Sequence, residues 1–559
     1  MRPGQPPIAR DVAGADAHTY VLSLGAGQIV WGTADQQTVD IFVRVTDPQG
    51  RVLGTFDGPE RGPEQFRFVT RVAGPHRIEI TPFDRKSGRY TLAVERVEPL
   101  ARTPAGKVDQ LMRSYDRRDA PGAVITVVRH GRSVFSKAYG MANLEQGVPN
   151  VAGTVFHVAS LSKQFTAFAV ARLAEEGRLS LDDDVRRHLP DLPDLGAPYG
   201  GPVTLRYLLH HTSGLRDQWS LWGMAGGRLD DVITQENLLD LVRRQRALDF
   251  RPGAEHRYSN TNYTLLAEVV ARVSGEPFGA HLRRTVFAPL GMAATQVYDD
   301  HERLLPRRAD SYQIGPGGYR RSVLSFANQG ATGMQATAGD LARWLANFGT
   351  GRVGGAGVLR RMQERGVLAG GDTIRYAFGI VVDEHRGLRR LQHGGEDAGY
   401  RAMIAYYPEL DAGVVVLGND AGLDAGEVAR AAAEAFFGDQ MRPGPEPAPP
   451  PAAVVAAAAA PRPAPPWRPT AAEFAAYAGR YYSPELETVY TLTAEGDSLV
   501  ARHRRHGRIP LAAAEVRDEF RGGPWYFGRV RFERGADGRV TGLRTSGGRV
   551  RDLWFERQE

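Results

Sequence analysis

The chain has 559 residues, 42% of them hydrophobic and 24% charged, which is enough for about three globular domains and does not favour disorder. Its net charge of +6 is carried by arginines scattered among nearly as many acidic residues, a pattern that argues against nucleic-acid binding. It contains no cysteine, which excludes disulfides, thiolate metal ligands and cysteine nucleophiles.

The N-terminal sequence MRPGQPPIAR has no apolar segment, and no stretch of about twenty apolar residues follows it. We therefore expect neither a signal peptide nor a transmembrane segment in this chain. The protein is then either cytoplasmic or exported with its signal already removed.

Residues 1–100 predict a small β-sandwich accessory domain. Apolar residues alternate along 39–45, and Ile78 and Ile80 repeat the same period of two. The sequence Asp-Pro-Gln-Gly at 47–50 places proline and glycine where a turn between strands can use them.

Residues 104–440 mix helical and strand-like patterns and predict a single α+β domain. The apolar runs 124–128 and 134–139 are separated by His130-Gly131, which predicts a hairpin opening an antiparallel sheet.

Three helices are predicted in this region. They cover 160–176, 261–273 and 339–348, and the first has Gly177 at the position of a C-terminal stop. Thr337 and Asp340 stand at capping-box spacing before the third.

Proline and alanine dominate residues 441–468, a composition that favours an extended tether between domains. The segment 469–559 is predicted to form a small β-barrel. From residue 471 onwards its sequence returns to strand-like runs separated by turns. The basic run 502–508 is interpreted as a solvated hairpin, with contact to an anionic surface as the alternative.

Ser160-Leu161-Ser162-Lys163 places a hydroxyl and an amine three residues apart at a predicted helix start, on one helix face. A serine hydroxyl needs a neighbouring base to become a nucleophile, and a helix N-terminus favours developing negative charge. Taken alone, this spacing is common, and the alternative is a surface lysine.

Lysine usage supports the functional interpretation. The chain has four lysines, at positions 86, 107, 137 and 163, against 66 arginines. Arginine cannot lose its proton under working conditions, whereas a crowded lysine can have its pKa lowered enough to act as a base.

Two further motifs accompany the serine and lysine. Tyr258-Ser259-Asn260 follows a Pro-Gly turn and directly precedes a predicted helix, so its tyrosine and asparagine would project from a loop. His393-Gly394-Gly395 leads into a strand-like run, with glycines that allow close approach of another backbone.

These three motifs resemble, in order and spacing, the S-x-x-K, Y-x-N and K/H-x-G motifs of the serine β-lactamase fold, in its branch of class C enzymes, family VIII esterases and D-Ala-D-Ala carboxypeptidases. The resemblance covers about 60% of the chain. It implies a fold class of α+β multidomain type: a β-lactamase/transpeptidase-like domain, with an antiparallel sheet flanked by helices plus an all-helical part, between two small all-β domains.

The resemblance also implies roles for seven residues. Ser160 would form the acyl-enzyme, Lys163 would be its proton partner, and Tyr258 would move protons to the leaving group and from the attacking water. Asn260 would hold the substrate amide and orient the lysine. The substrate-binding and oxyanion positions would be His393, Gly395 and Glu396, with the oxyanion between the backbone N–H groups of Ser160 and Glu396.

This sequence departs from the β-lactamases at the third motif, where His393 stands in place of lysine. A histidine is mostly neutral at pH 7 and is a weak anchor for a substrate carboxylate, and Glu396 would repel that carboxylate. We therefore expect esters, amides or peptides carrying D-residues to be better substrates than penicillins.

No cofactor or metal is expected. His210 and His211 lack a third ligand at a recognisable spacing, and within the resemblance their segment is a structural loop.

The flanking regions resemble a pre-peptidase-like β-sandwich and a lipocalin-like β-domain. They imply an exported bacterial protein, periplasmic or secreted, with a small-molecule or peptide substrate and an association with the cell envelope. Two alternatives stay open: a catalytically idle penicillin-binding-like scaffold or binding protein, and an α/β-hydrolase esterase, for which the sequence lacks a G-x-S-x-G elbow.

Overall fold

The computed structural model of the protein describes residues 3–14, 16–58, 62–83, 86–315, 317–443, 467–496 and 498–559. Most of the predicted tether at 441–468 lies outside these residues. The predicted fold class is confirmed, whereas the domain boundaries stay predictions. Among the described helices, none combines the length and hydropathy that a membrane span requires.

The described residues of the N-terminal region form eight strands in two antiparallel four-stranded sheets, ordered β1-β8-β3-β6 and β2-β7-β4-β5. The alternating residues predicted to point inward, among them Ile41, Ile78 and Ile80, are fully buried between the sheets. The strands are β1 (Ile8–Val12), β2 (His18–Leu24), β3 (Gln28–Gln36), β4 (Ile41–Thr46), β5 (Val52–Phe56), β6 (Gly62–Val69), β7 (Gly74–Pro82) and β8 (Gly88–Pro99).

The central region is built on a six-stranded antiparallel sheet in the order β10-β9-β23-β22-β21-β20, opened by the predicted hairpin at His130-Gly131. Smaller sheets pair the remaining strands. The strands are β9 (Ala123–Arg129), β10 (Arg132–Tyr139), β11 (Met141–Asn143), β12 (Val148–Pro149), β13 (Phe156–His157), β14 (Val232–Thr234), β15 (Gln296–Val297), β16 (Tyr312–Gly315), β17 (Gly318–Arg321), β18 (Ser325–Ala327), β19 (Met334–Ala336), β20 (Val381–His385), β21 (Leu388–Asp397), β22 (Tyr400–Tyr407) and β23 (Ala412–Gly418).

Helices cover both faces of this sheet and form a helical part beside it. The helices are α1 (Pro104–Leu111), α2 (Ser162–Glu175), α3 (Val185–His188), α4 (Leu205–Leu209), α5 (Gln218–Met224), α6 (Gln235–Arg243), α7 (Asn260–Ser274), α8 (Phe278–Leu282), α9 (Ala288–Leu290), α10 (Ala338–Thr350), α11 (Gly355–Arg361) and α12 (Ala425–Phe437). In β23, Val414 and Val416 belong to the core shared with α12, whereas Val415 and Leu417 belong to the core shared with α2 and α10. Side chains alternate across a strand, so one apolar run packs both layers.

Two of the predicted helices differ from expectation in their first turn. The helix expected from Ser160 starts as a 3₁₀ turn, Ala159–Leu161, and becomes α-helical at Ser162. At α10, Thr337 caps the helix by accepting from the backbone N–H of Asp340, as the spacing indicates. The carboxylate of Asp340 does not complete the capping box, because it accepts hydrogen bonds from Ala294 and Thr295 instead.

The C-terminal region is a closed eight-stranded barrel in which β24 also pairs with β31. The prediction of strands from residue 471 was wrong for the first seven residues, which form α13 (Ala471–Tyr477) under a capping box of Thr470 and Glu473. The strands are β24 (Gly479–Ser483), β25 (Thr488–Glu495), β26 (Ser498–His503), β27 (Gly507–Ala513), β28 (Glu519–Gly522), β29 (Arg529–Arg534), β30 (Val540–Gly547) and β31 (Val550–Gln558).

The basic run 502–508 forms the hairpin between β26 and β27, as predicted, but it is not simply solvated. Arg502 and Arg508 both pair with Glu495 on the barrel itself. Arg505 reaches across to Asp231 of the central region with a shortest N–O distance of 2.6 Å. The hairpin is therefore part of the contact between the barrel and the central region.

Candidate active site

Ser160 and Lys163 are brought together at the start of α2. Ala159, just before the serine, has a φ of 47°, an uncommon left-handed conformation for a residue with a side chain. The 3₁₀ turn then places Lys163 one helical turn from Ser160, with Nζ 3.0 Å from Oγ. The predicted proximity of the hydroxyl and the amine is present.

The Lys163 amine has three close neighbours and no solvent contact. Besides Ser160 Oγ, Nζ donates to Asn260 Oδ1 at 2.8 Å and to the Ala331 carbonyl at 2.7 Å, and the side chain is fully buried. Burial is the main cause that lowers the pKa of Lys163 to about 7; the charge of Asp397 opposes this shift and that of Arg549 adds to it.

These three contacts determine which way the lone pair of the neutral amine points. A neutral amine has two N–H groups, which Asn260 and Ala331 accept, and one lone pair, which is left facing the hydroxyl of Ser160. The geometry therefore suits Lys163 as the base for the serine.

Asn260, the first residue of α7, is oriented by a buried carboxylate that sequence reasoning missed. Asp217 Oδ2 accepts from the Asn260 backbone N–H at 2.7 Å and from its Nδ2 at 2.9 Å. Because Nδ2 faces the carboxylate, Oδ1 must face Lys163. The sequence signal for Asp217 is its position as N-cap of α5, where it accepts from Trp219 N–H.

Tyr258 lies over the lysine. Its ring centroid is 4.8 Å from Lys163 Nζ and 4.9 Å from the Arg549 guanidinium carbon, and its hydroxyl is buried without a hydrogen-bond partner in the described residues. Burial raises the pKa of the Tyr258 hydroxyl, so the group keeps its proton at neutral pH. A buried hydroxyl without a partner is available to a reacting group.

His393 is neutral, as its sequence context predicts. Burial lowers the pKa of His393 to about 4, and the nearby charge of Lys163 lowers it further. Its Nδ1 lies 2.6 Å from the Gly394 carbonyl and therefore carries the proton, so Nε2 accepts from the hydroxyl of Tyr376 at 3.1 Å. Tyr376 was not predicted, and no sequence motif marks it.

Gly395 brings β21 against the nucleophile. A Cβ atom built at this position would collide with the Val158 carbonyl and lie 3.2 Å from the Ser160 backbone nitrogen, so only glycine fits. Glu396 follows it and is exposed to the cavity. Asp397, the next residue, is held by Thr332 Oγ1 at 2.5 Å and also lay outside the predicted set.

The imidazole ring of His211 packs against the ring of Tyr258. Its ring centroid is 4.2 Å from that of Tyr258, the residue is fully buried, and burial lowers the pKa of its imidazole. His210 donates from Nε2 to the Glu364 carbonyl at 3.0 Å. In the part of the chain that the structure describes, no group of three His, Asp or Glu side chains is arranged to hold a metal ion.

The predicted residues share one cavity of about 1070 Å³. Six of them line it: Ser160, Tyr258, Asn260, His393, Gly395 and Glu396. Lys163 does not line the cavity and lies buried behind its wall. The wall also contains Trp525, Gly548 and Arg549 of the C-terminal barrel, which no sequence motif connects to the site.

Comparisons with known proteins identify the family to which the central region is similar. The family model described as Beta-lactamase matches residues 106–438. A D-aminopeptidase of Gluconobacter oxydans (strain 621H) is 26% identical over 316 residues, which cover 56% of this chain and 58% of that protein. Penicillin-binding protein 4* of Bacillus subtilis (strain 168) is 29% identical over 307 residues, which cover 52% of this chain and 66% of that protein.

The chain thus spans less than two thirds of the length of these two curated relatives. Among solved structures, the octameric penicillin-binding protein homologue from Pyrococcus abyssi aligns with a TM-score of 0.53 at 22% identity, covering 81% of this chain and 99% of that one. At this identity the likeness concerns the fold alone.

Proposed function

The chain belongs to the Beta-lactamase family, and we propose that it is a serine hydrolase that cleaves an amide or ester bond through an acyl-enzyme on Ser160. The observation that supports the proposal is the position of the buried Lys163 amine. In its neutral form, the lone pair of this amine faces the serine hydroxyl, which lies 3.0 Å away. Without a nearby base a serine hydroxyl is a poor nucleophile, and here the base is in place.

In the acylation step, Ser160 Oγ attacks the substrate carbonyl carbon while its proton moves to the Lys163 amine. The carbonyl oxygen becomes negatively charged and is stabilised by the backbone N–H groups of Ser160 and Glu396. The close packing of Gly395 on the serine backbone supports this pairing.

Collapse of the tetrahedral intermediate requires a proton on the leaving nitrogen or oxygen. Tyr258 supplies it, because burial keeps its hydroxyl protonated and no described residue occupies it. The lysine ammonium, 4.8 Å from the ring centroid, then returns a proton to the phenolate. Both groups end neutral, and the serine proton has in effect moved to the leaving group.

Deacylation reverses this order with water as the nucleophile. The same pair takes a proton from water and returns one to Ser160 Oγ, giving the acid product and free enzyme. Because Lys163 and Tyr258 exchange protons with each other, their titration belongs to the pair.

Amides and esters, including peptides with D-residues, are the proposed substrates. The third motif differs from that of the β-lactamases: His393 is neutral, and its Nε2 is already occupied by Tyr376, so the motif itself offers no cation to a substrate carboxylate. The relative named D-aminopeptidase is consistent with the same substrate class.

The test is intact-protein mass spectrometry with a fluorophosphonate probe and, separately, a penicillin, comparing wild type with Ser160→Ala. An adduct on wild type that is absent from the variant identifies the nucleophile, and a persistent penicilloyl adduct indicates a penicillin-binding peptidase. If folded wild type forms no adduct with either reagent, the hydrolase proposal fails and the idle binding protein takes its place.

We further propose that the protein works outside the cytoplasm, in association with the cell envelope. The likeness of the two flanking β-regions to domains of exported bacterial hydrolases supports this location. Fractionation of the source cells, with detection by a specific antibody, would contradict it if the protein were recovered with the cytoplasm.

A further inference from the structure

Arg549 comes from the barrel but lines the same cavity as Ser160. It follows Gly548 in the turn between β30 and β31. Its backbone N–H donates to Ser220 Oγ at 3.0 Å, and its carbonyl accepts from the Asp217 N–H at 3.4 Å. Position 548 has a φ of +55°, and a Cβ there would lie 2.5 Å from Ser220 Oγ. The turn is therefore seated closely on α5.

The barrel is held in place by a buried contact with the central region. Arg216 pairs with Glu485 of the barrel at 2.6 Å, and the two side chains are only 4% and 5% exposed. Leu221 and Met224 belong to the apolar core of the barrel, and the Tyr490 hydroxyl donates to the Met224 carbonyl at 3.0 Å. This packing sets the position of the turn between β30 and β31.

The guanidinium of Arg549 has free donors that face the cavity. Its ion pair with Asp217 Oδ2 is long, at 3.7 Å, and that oxygen already accepts two hydrogen bonds from Asn260. The guanidinium makes no hydrogen bond to another described residue, and the side chain is 47% exposed. An arginine in this state is a permanent cation with several unused N–H groups.

The other arginines of the cavity wall are differently placed. Arg228 and Arg321 are held by carboxylates, and Arg401 donates to two backbone carbonyls. Arg320 lies on the hairpin of β16 and β17, and no described residue accepts a hydrogen bond from its side chain. Arg549 differs from Arg320 in its position beside Tyr258, and Arg320 supplies a matched control.

We propose that Arg549 binds a carboxylate on the leaving group of the substrate, so that the barrel completes the active site. The inference rests on the function proposed above, in which Tyr258 protonates the leaving atom. Because the guanidinium lies beside the ring of that tyrosine, 4.9 Å from its centroid, a carboxylate bound there belongs to the leaving side of the scissile bond.

A carboxylate bound at Arg549 defines a class of substrate. In an α-amino acid the carboxylate carbon is two bonds from the nitrogen, so peptides cut at their last bond place it next to the leaving nitrogen. Hydrolysis then adds water across that bond and releases an acyl acid and a free amino acid. A guanidinium matches a carboxylate in two parallel hydrogen bonds and repels an ammonium group. The site thus favours a leaving group that carries a free C-terminal carboxylate over one whose C-terminus is blocked.

The experiment compares two substrates that differ only in this group, N-acetyl-D-alanyl-D-alanine and its C-terminal amide. The ratio of kcat/KM for the acid to that for the amide is measured in wild type, Arg549→Gln and Arg320→Gln. Because each ratio is internal to one enzyme, changes in proton transfer cancel. We expect the ratio to fall about 10- to 100-fold in Arg549→Gln, the size of a lost charged hydrogen-bond pair, and to stay at the wild-type value in Arg320→Gln.

Equal losses on acid and amide, or equal falls of the ratio in both variants, overturn the proposal. So does a wild type that prefers the amide, or one that leaves the acid uncut while the fluorophosphonate still labels Ser160. If the fluorophosphonate does not label Ser160 at all, the proposed hydrolase function itself has failed, and this inference falls with it.

Discussion

The acylation rate of Ser160 should depend on pH through the protonation of Lys163. With a pKa of about 7, instead of its ordinary value of 10.5, the lysine is half neutral at pH 7. At pH 5 only about 1% of the amine is neutral, and at pH 8 about 90%. Protonation removes the lone pair that accepts the serine proton, so the rate should rise about 100-fold from pH 5 to pH 8 and then level off.

The measurement is the second-order rate of fluorophosphonate labelling between pH 5 and pH 10, followed by intact mass. His393 does not titrate in this range, because burial holds its pKa at about 4, and burial raises the pKa of Tyr258. The variant Arg549→Gln provides a second comparison. The charge of Arg549 lowers the pKa of Lys163, so removing that charge should move the inflection of the rate profile to higher pH.

Two outcomes would contradict a Lys163 base with a lowered pKa. A flat profile would mean that the lysine does not act as the base. A rate that keeps rising to pH 10 would mean that the amine retains its ordinary pKa despite burial, and that the neutral-amine geometry is not the resting state.

Three further substitutions test other parts of the structure. Tyr258→Phe should slow hydrolysis of an amide about 100-fold or more, and that of a p-nitrophenyl ester less, because only a poor leaving group needs the proton; equal losses would argue against this role. Arg216→Met should lower the free energy of unfolding by about 3–5 kcal/mol, since it leaves the buried carboxylates of Glu485 and Asp249 without this cation; a melting temperature like that of wild type would contradict the buried pair. Gly395→Ala should abolish labelling of the nucleophile, whereas Gly394→Ala, whose added Cβ would meet nothing closer than 3.8 Å, should retain it; loss in both would indicate a general intolerance of this strand.

The sequence predicted those features of the site that are local in the chain. The serine and lysine are one helical turn apart, so the S-x-x-K spacing alone brings them together. The central hairpin and the inward alternation of the N-terminal strands follow from period-two patterns in the same way. The missed helix α13 also had a local signal, since Thr470 and Glu473 stand at capping-box spacing and form one.

The remaining site residues depend on tertiary placement. Tyr376 reaches His393 from a loop before β20, and Arg549 enters from a different region of the chain. Neither is marked by its neighbours in sequence, because its position at the site depends on the surface on which its loop is packed. The strands and turns in the sequence of residues 469–559 predicted a barrel, but nothing in them indicated which turn would face the cavity.

The link between barrel and catalytic motif runs through two adjacent residues. The Arg216 side chain pairs with Glu485 of the barrel, while its backbone carbonyl accepts from Thr261 Oγ1 at 2.7 Å. The next residue, Asp217, fixes the amide of Asn260, and that amide in turn accepts from Lys163. A shift of the barrel would therefore displace the Arg549 guanidinium and, through this dipeptide, the asparagine that holds Lys163. Since both effects have one structural cause, loss of the buried Arg216 pair should reduce turnover as well as stability, even at temperatures where the chain stays folded.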